Sequence, residues 1–173
     1  MRTRQPLPRL WLMTDERQSD GLLDAIARLP DGAGIVFRHY CLEEVARRDL
    51  FERVKAAAPG PVLLAGPAGQ AEAWGADGSH GRGRGTGLRS APVHNYVEIR
   101  AAEREGAALV FLSPVYPTRS HPGAGSLGLA RFAWLARRTG LPVIALGGMN
   151  AARGKRLASF GAYGWAGIDA WLA

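Results

Sequence analysis

Cysteine is almost missing from this chain: Cys41 stands alone among 173 residues. An intrachain disulfide and a cysteine-rich zinc site are therefore excluded. A lone thiol near a helix start reads as a small packing residue rather than a nucleophile. Lysine is scarce too. Lys55 and Lys155 both sit inside helical patterns, so neither stands at a strand end, where Schiff-base aldolase chemistry would need it. No apolar run reaches the roughly 18–20 residues that span a bilayer. The start, MRTRQPLPRLWLMTDE, offers only LWLM, short of the roughly 7–15 apolar residues of a secretory signal. A cytoplasmic location with no membrane partner is expected. A basic tract is also missing. The net charge of +7 is spread along the whole length, with no aromatic and basic recognition module, so no nucleic-acid partner is expected. The charge better suits a basic cleft for a phosphorylated substrate.

What is present lies mostly between Val110 and Asn150. VFLSPVYPTRSHPGAGSLG is followed by a helical segment and then PVIALGGMN. Two buried-strand patterns each end in a loop suited to an anion. The first offers Thr118, Arg119, Ser120 and His121. The second offers Gly147 and Gly148, whose missing β-carbons let backbone N–H groups approach closely. Neighbouring βα units of a parallel barrel often carry a phosphate on such late loops.

Strand and helix signals alternate along the whole chain. Strands are expected at Arg9–Asp15, Gly34–Tyr40, PVLLAG, a short ADGSHG, a brief RSAPVH, ALVFLS, PVIALGG and the closing AYGWAGIDAWLA. Helices are expected at Leu22–Leu29, Leu42–Ala58, Asn95–Glu105, Leu129–Thr139 and Ala151–Phe160. The second is marked by Leu42, Val45, Ala46, Leu50, Phe51 and Val54 at helical spacing. The strands are apolar throughout, as when both faces are covered. The expected fold is a single α/β domain, residues 1–173: a compact TIM (β/α)8 barrel. It is far shorter than the typical barrel of about 250 residues. Short helices are therefore expected, especially after strands three and four, with the eighth almost absent. A doubly wound sheet is the alternative, but GRGRGTG is a weak match to a dinucleotide fingerprint.

LMTD, FRHY, GADGSHGR, PVH, FLSPVYPTRSHPGAGSLG and PVIALGGMN occur in this order, at the first, second, fourth, fifth, sixth and seventh expected strands. Together they resemble the thiamine phosphate synthase and TenI-type thiazole tautomerase superfamily. The resemblance implies a barrel that binds a phosphorylated thiazole at the carboxyl ends of its strands, and a homodimer. It carries the thiazole phosphate onto Thr118, Ser120, Gly147 and Gly148, and Arg119 in the same loop is expected to join them. Hydroxyl and backbone donors suit a dianion without changing protonation.

The diphosphate half of the pattern is eroded. Of the Q-x-R-x-K of synthases only Arg38 remains, between Val36 and Tyr40. Ala65 and Gly66 stand where synthases have Asn-Asp, a magnesium carboxylate. The resemblance places the second carboxylate at Asp77. His121 replaces a lysine, and Pro92 a serine. Expected catalytic residues are Arg38, His121 and His94, and the expected cofactor is Mg2+. A diphosphate leaving group needs metal or cationic stabilisation, to which Arg38 and protonated His121 would contribute. The implied reaction is coupling of thiazole phosphate with hydroxymethylpyrimidine diphosphate. The alternatives are metal-free thiazole isomerisation with His94 as acid and base, and thiazole-phosphate binding alone. Zinc held by His39, His80, His94 and His121 lacks the spacing of a helical metal motif. Asp15 and Asp169 are read as capping or loop-fixing groups, and Trp11, Trp165 and Trp171 as core or interface residues.

Overall fold

A computed structural model describes residues 6–18, 21–118 and 125–171. Its strands are β1 (Leu10–Met13), β2 (Gly34–Phe37), β3 (Val62–Ala65), β4 (Gly78–His80), β5 (Leu88–Val93), β6 (Leu109–Leu112), β7 (Val143–Ala145) and β8 (Gly164–Gly167). They pair in chain order, all parallel, and β8 closes on β1 through Leu10 opposite Trp165 and Trp11 opposite Ala166. The helices are α1 (Leu22–Ala27), α2 (Glu44–Ala57), α3 (Ala68–Ala73), α4 (Tyr96–Arg104), α5 (Gly128–Ala136) and α6 (Ala151–Ala158). The trimming expected from the length is present. α3 has six residues, residues 81–87 join β4 to β5 without a helix, and among the described residues β8 is followed by a 3-10 turn, Asp169–Trp171.

The apolar strands follow from having two buried faces. Trp11, Met13, Val36, Leu63, Leu109, Phe111 and Ile144 fill the barrel interior. The residues alternating with them, such as Leu12, Phe37, Leu64, Val110 and Val143, pack outward under the helices. Each such side chain contributes about 1.5–3 kcal/mol on burial. Trp11 meets Phe111 edge-on at 5.4 Å. It fits because Gly34 has no side chain: a β-carbon there would lie 2.4 Å from the indole. The interior turns polar only at the carboxyl end, where His80 stands edge-on to Phe111 at 4.9 Å.

Two elements depart from the sequence reading. The strand expected to be brief, β5, is six residues long. β4 ends opposite Ser90, so Pro92 lies past that ladder and its missing N–H costs no bond there. α2 begins at Glu44 rather than Leu42, and Leu42 and Val45 are exposed. Its buried face is Arg47, Phe51 and Val54. Arg47, which the apolar spacing did not mark, joins the buried face with its guanidinium 5.3 Å from the Trp74 ring centre. Among the described residues no helix is long and apolar enough to cross a membrane.

Candidate functional site

β6 and β7 end side by side, and their turns are bonded to each other. Leu146 N–H donates to Leu112 O, Val115 N–H to Leu146 O, and Tyr116 N–H to Gly147 O, at 3.0, 2.9 and 3.2 Å. Gly147 and Gly148 have φ of +97° and +62°, and a β-carbon on either would fall 2.7 Å from the β6 turn. Only glycine fits both the backbone and the approach. The Gly147 carbonyl accepts from Tyr116 and the Gly148 carbonyl from the Arg153 guanidinium. Neither glycine N–H has a protein acceptor among the described residues. Consecutive free N–H groups in a left-handed turn form an anion-binding concavity.

That turn lines a cavity of about 460 Å³, together with Pro117, Thr118, Arg153 and Asp169. The volume falls within the roughly 300–1,000 Å³ of small-ligand sites. Thr118 and the glycine pair are thus brought together, at the carboxyl end of the barrel. Arg119, Ser120 and His121 lie outside the described residues. Sequence reasoning passed over Arg153. It stands on the first turn of α6, which is capped by Asn150 accepting from the Arg153 N–H at 3.0 Å.

Arg38 follows β2 directly. Its Nε donates to Thr14 O and its Nη2 to Asp15, both at 2.8 Å. Burial alone would raise the Asp15 carboxyl. Hydrogen bonds and charge from Arg17, with the charge of Arg38, outweigh it and hold the group below the usual carboxylate range. Asp15 therefore fixes the loop, as the sequence suggested. Arg47 knits the neighbouring strand ends, donating to the carbonyls of Arg38 and Ala65 at 3.0 Å each. Burial first, then the Arg38 charge, pushes His80 down to about 3. Its Nδ1 lies 2.8 Å from Ser90 Oγ. His80 is consequently a neutral imidazole at the mouth.

His94 follows β5 and is half exposed. Its backbone N–H and ring Nδ1 both meet Glu98 Oε2 at 2.8 Å. A carboxylate partner favours a proton on Nδ1. Burial raises the Glu98 carboxyl, but the His94 hydrogen bonds, its charge and that of Arg82 at 3.3 Å outweigh it and leave the group below its ordinary value. Glu98 went unnoticed in the sequence. Its signal was the Asn95-x-x-Glu98 capping pattern, in which Asn95 Oδ1 accepts from Glu98 N–H at 3.0 Å.

Asp77 requires correction. It precedes β4, at the amino end of the barrel, where its carboxylate accepts from Val62 N–H at 2.8 Å. It borders a depression of about 1530 Å³ formed by Leu7, Pro8, Pro61 and their neighbours, on the face away from the mouth. Barrel chemistry sits at the carboxyl face, so Asp77 is a strand-entry acceptor and not a magnesium ligand. The remaining described residues at the mouth do not fit a resident magnesium. Gly66 has no donor side chain, both Asp15 oxygens face arginines, and Glu98 is shared by Arg82 and His94. Among the described residues no three acidic, histidine or cysteine side chains gather around a point. Asp77→Ala is expected to cost about 1–3 kcal/mol in urea unfolding, by orphaning a buried N–H, and to leave thiazole-phosphate affinity unchanged. A large loss of affinity would return Asp77 to the site.

Residues 90–171 match the TMP-TENI family, described as thiamine monophosphate synthase. The matched stretch carries His94, Thr118, Gly147, Gly148 and Arg153. The chain is 39% identical over 80 residues to "Putative thiamine-phosphate synthase 2" of Aquifex aeolicus, covering 46% of this chain and 43% of that protein. It is 40% identical over 74 residues to the thiamine-phosphate synthase of Methanocella arvoryzae, covering 42% and 35%. The matched segment therefore spans less than half the length of these relatives. The fold resembles thiamine phosphate pyrophosphorylase from Pyrococcus furiosus, with a TM-score of 0.74 at 19% identity over 94% of this chain and 86% of that one. The match to the family covers β5 to β8, the half of the mouth that holds the glycine turn.

Proposed function

We propose that this chain couples a thiazole phosphate to hydroxymethylpyrimidine diphosphate, as a thiamine phosphate synthase does. The observation that carries the reading is the cavity shared by Thr118 and the free N–H groups of Gly147 and Gly148, within the stretch matched to that family. In the coupling, the thiazole nitrogen attacks the pyrimidine methylene as its C–O bond to diphosphate breaks. The ring nitrogen gains a positive charge and diphosphate departs with the electron pair. Arg38, at the β2 end, is the described cation placed to meet that leaving charge. No step is routed through a protein-held metal. No proton needs to move, so His94 positions substrate in this reaction and would act as acid and base only in thiazole isomerisation.

The test is incubation of the pure protein with both substrates, with thiamine phosphate as the readout. Product is expected, and His94→Asn is expected to slow its formation by about tenfold or less, below the roughly 10²–10⁴-fold of a lost acid–base group. No coupling, with thiazole proton exchange that His94→Asn abolishes, would replace this reading with the isomerase.

A further inference from the structure

We propose that Arg153 is the charge partner of the ligand phosphate, so that this chain selects a phosphorylated thiazole over the corresponding alcohol. The inference rests on the phosphate-site reading above and names the group that makes the site selective. Arg153 lines the same cavity as Thr118, Gly147 and Gly148. Its guanidinium lies over the Tyr116 ring at 4.3 Å and donates to the Gly148 carbonyl. The ring stack and the carbonyl hold the side chain in place before a ligand arrives, so little side-chain freedom remains to be lost on binding. One contact to Gly148 leaves other N–H groups of the fork for phosphate oxygens.

The surrounding charges set Arg153 apart. Arg38 and Arg17 face Asp15 at 2.8 and 2.7 Å, and Arg82 faces Glu98 at 3.3 Å. No carboxylate pairs with Arg153 among the described residues. Its charge is therefore unspent beside the two glycine N–H groups. Asp169 also lines the cavity, with an oxygen 4.0 Å from Arg17. A dianion entering beside that carboxylate needs a cation of its own, and among the described residues Arg153 is the one on the cavity wall.

The experiment is calorimetric titration of wild type, Arg153→Gln and Arg153→Lys with hydroxyethylthiazole phosphate and with hydroxyethylthiazole. Glutamine keeps a polar side chain but carries no charge, whereas lysine keeps the charge. Expected is a loss of about 10–100-fold for the phosphate ester with glutamine, the scale of a charge-assisted pair, a smaller loss with lysine, and little change for the alcohol. Equal losses for ester and alcohol would overturn the proposal, because a residue that merely braces the turn affects both. An unchanged ester affinity in Arg153→Gln would overturn it while leaving the phosphate site standing. Failure of the wild type to bind the ester at all would overturn both.

Discussion

Gly148→Ala is expected to remove thiazole-phosphate binding and to cost the fold about 2–5 kcal/mol. Two effects add. Gly148 has a φ of +62°, and holding an L-residue in the left-handed region costs roughly 1–2 kcal/mol. The new methyl would stand 2.7 Å from the Pro117 carbonyl oxygen and 2.9 Å from Tyr116 Cβ. Relieving such overpacking typically costs about 1–3 kcal/mol. Relief means separating the β6 and β7 turns, and that separation dissolves the cavity. Gly106→Ala is the control. Its φ of +79° is similar, but nothing lies within 4 Å of the added carbon, and it follows α4 at the far end of the barrel. It should pay only the backbone cost and bind ligand normally. Urea unfolding and titration of both variants separate strain from function. A Gly148→Ala protein that binds as wild type would mean that the glycine turn is not the anion cradle.

The same glycine pair shows why part of the site was legible in the sequence. Two glycines at the end of an apolar strand have few structural reasons to exist beyond a tight backbone approach, and a hydroxyl-rich turn after the preceding strand completes the pattern. The barrel was legible for a related reason: strands buried on both faces leave unbroken apolar runs. Asp77 was not legible, because β4 has only three residues. A carboxylate written beside so short a strand can fall at either end of it. Only the pairing of Asp77 N–H with Val62 O, at 3.0 Å, places it at the entry. Arg47 and Arg153 were hidden by the reach of their side chains. One stretches from α2 to the carbonyls of two strand ends, and the other folds back from α6 over Tyr116. Helical periodicity reports which way a Cα faces, not where a guanidinium comes to rest.

Stability should fall as pH drops from about 6.5 to 4.5, and His80 should be a principal cause. The folded state holds His80 near 3, well below the 6.5 of a free imidazole. As pH falls through 6.5 the unfolded chain therefore takes up a proton that the native chain refuses. Unfolded protein binds more protons, so stability declines with falling pH. The contribution is complete above 6.5 and is spent as pH approaches 3. Over the window to about pH 4.5 it amounts to about 2 kcal/mol. His39, which burial also pushes down despite the opposing charges of Glu16 and Asp15, adds a loss of the same sign. Asp15, Glu16 and Glu98, held below their ordinary values, withdraw most of their support below about pH 4.5, so the histidines dominate this window. Urea unfolding at several pH values should show a clear slope for wild type and a shallower one for His80→Asn, whatever its stability at neutral pH. Equal slopes would mean that His80 accepts a proton in the folded state. That result would also change the mouth of the barrel: a charged His80 would add a second cation beside Arg38, whereas a neutral one leaves the departing diphosphate to Arg38.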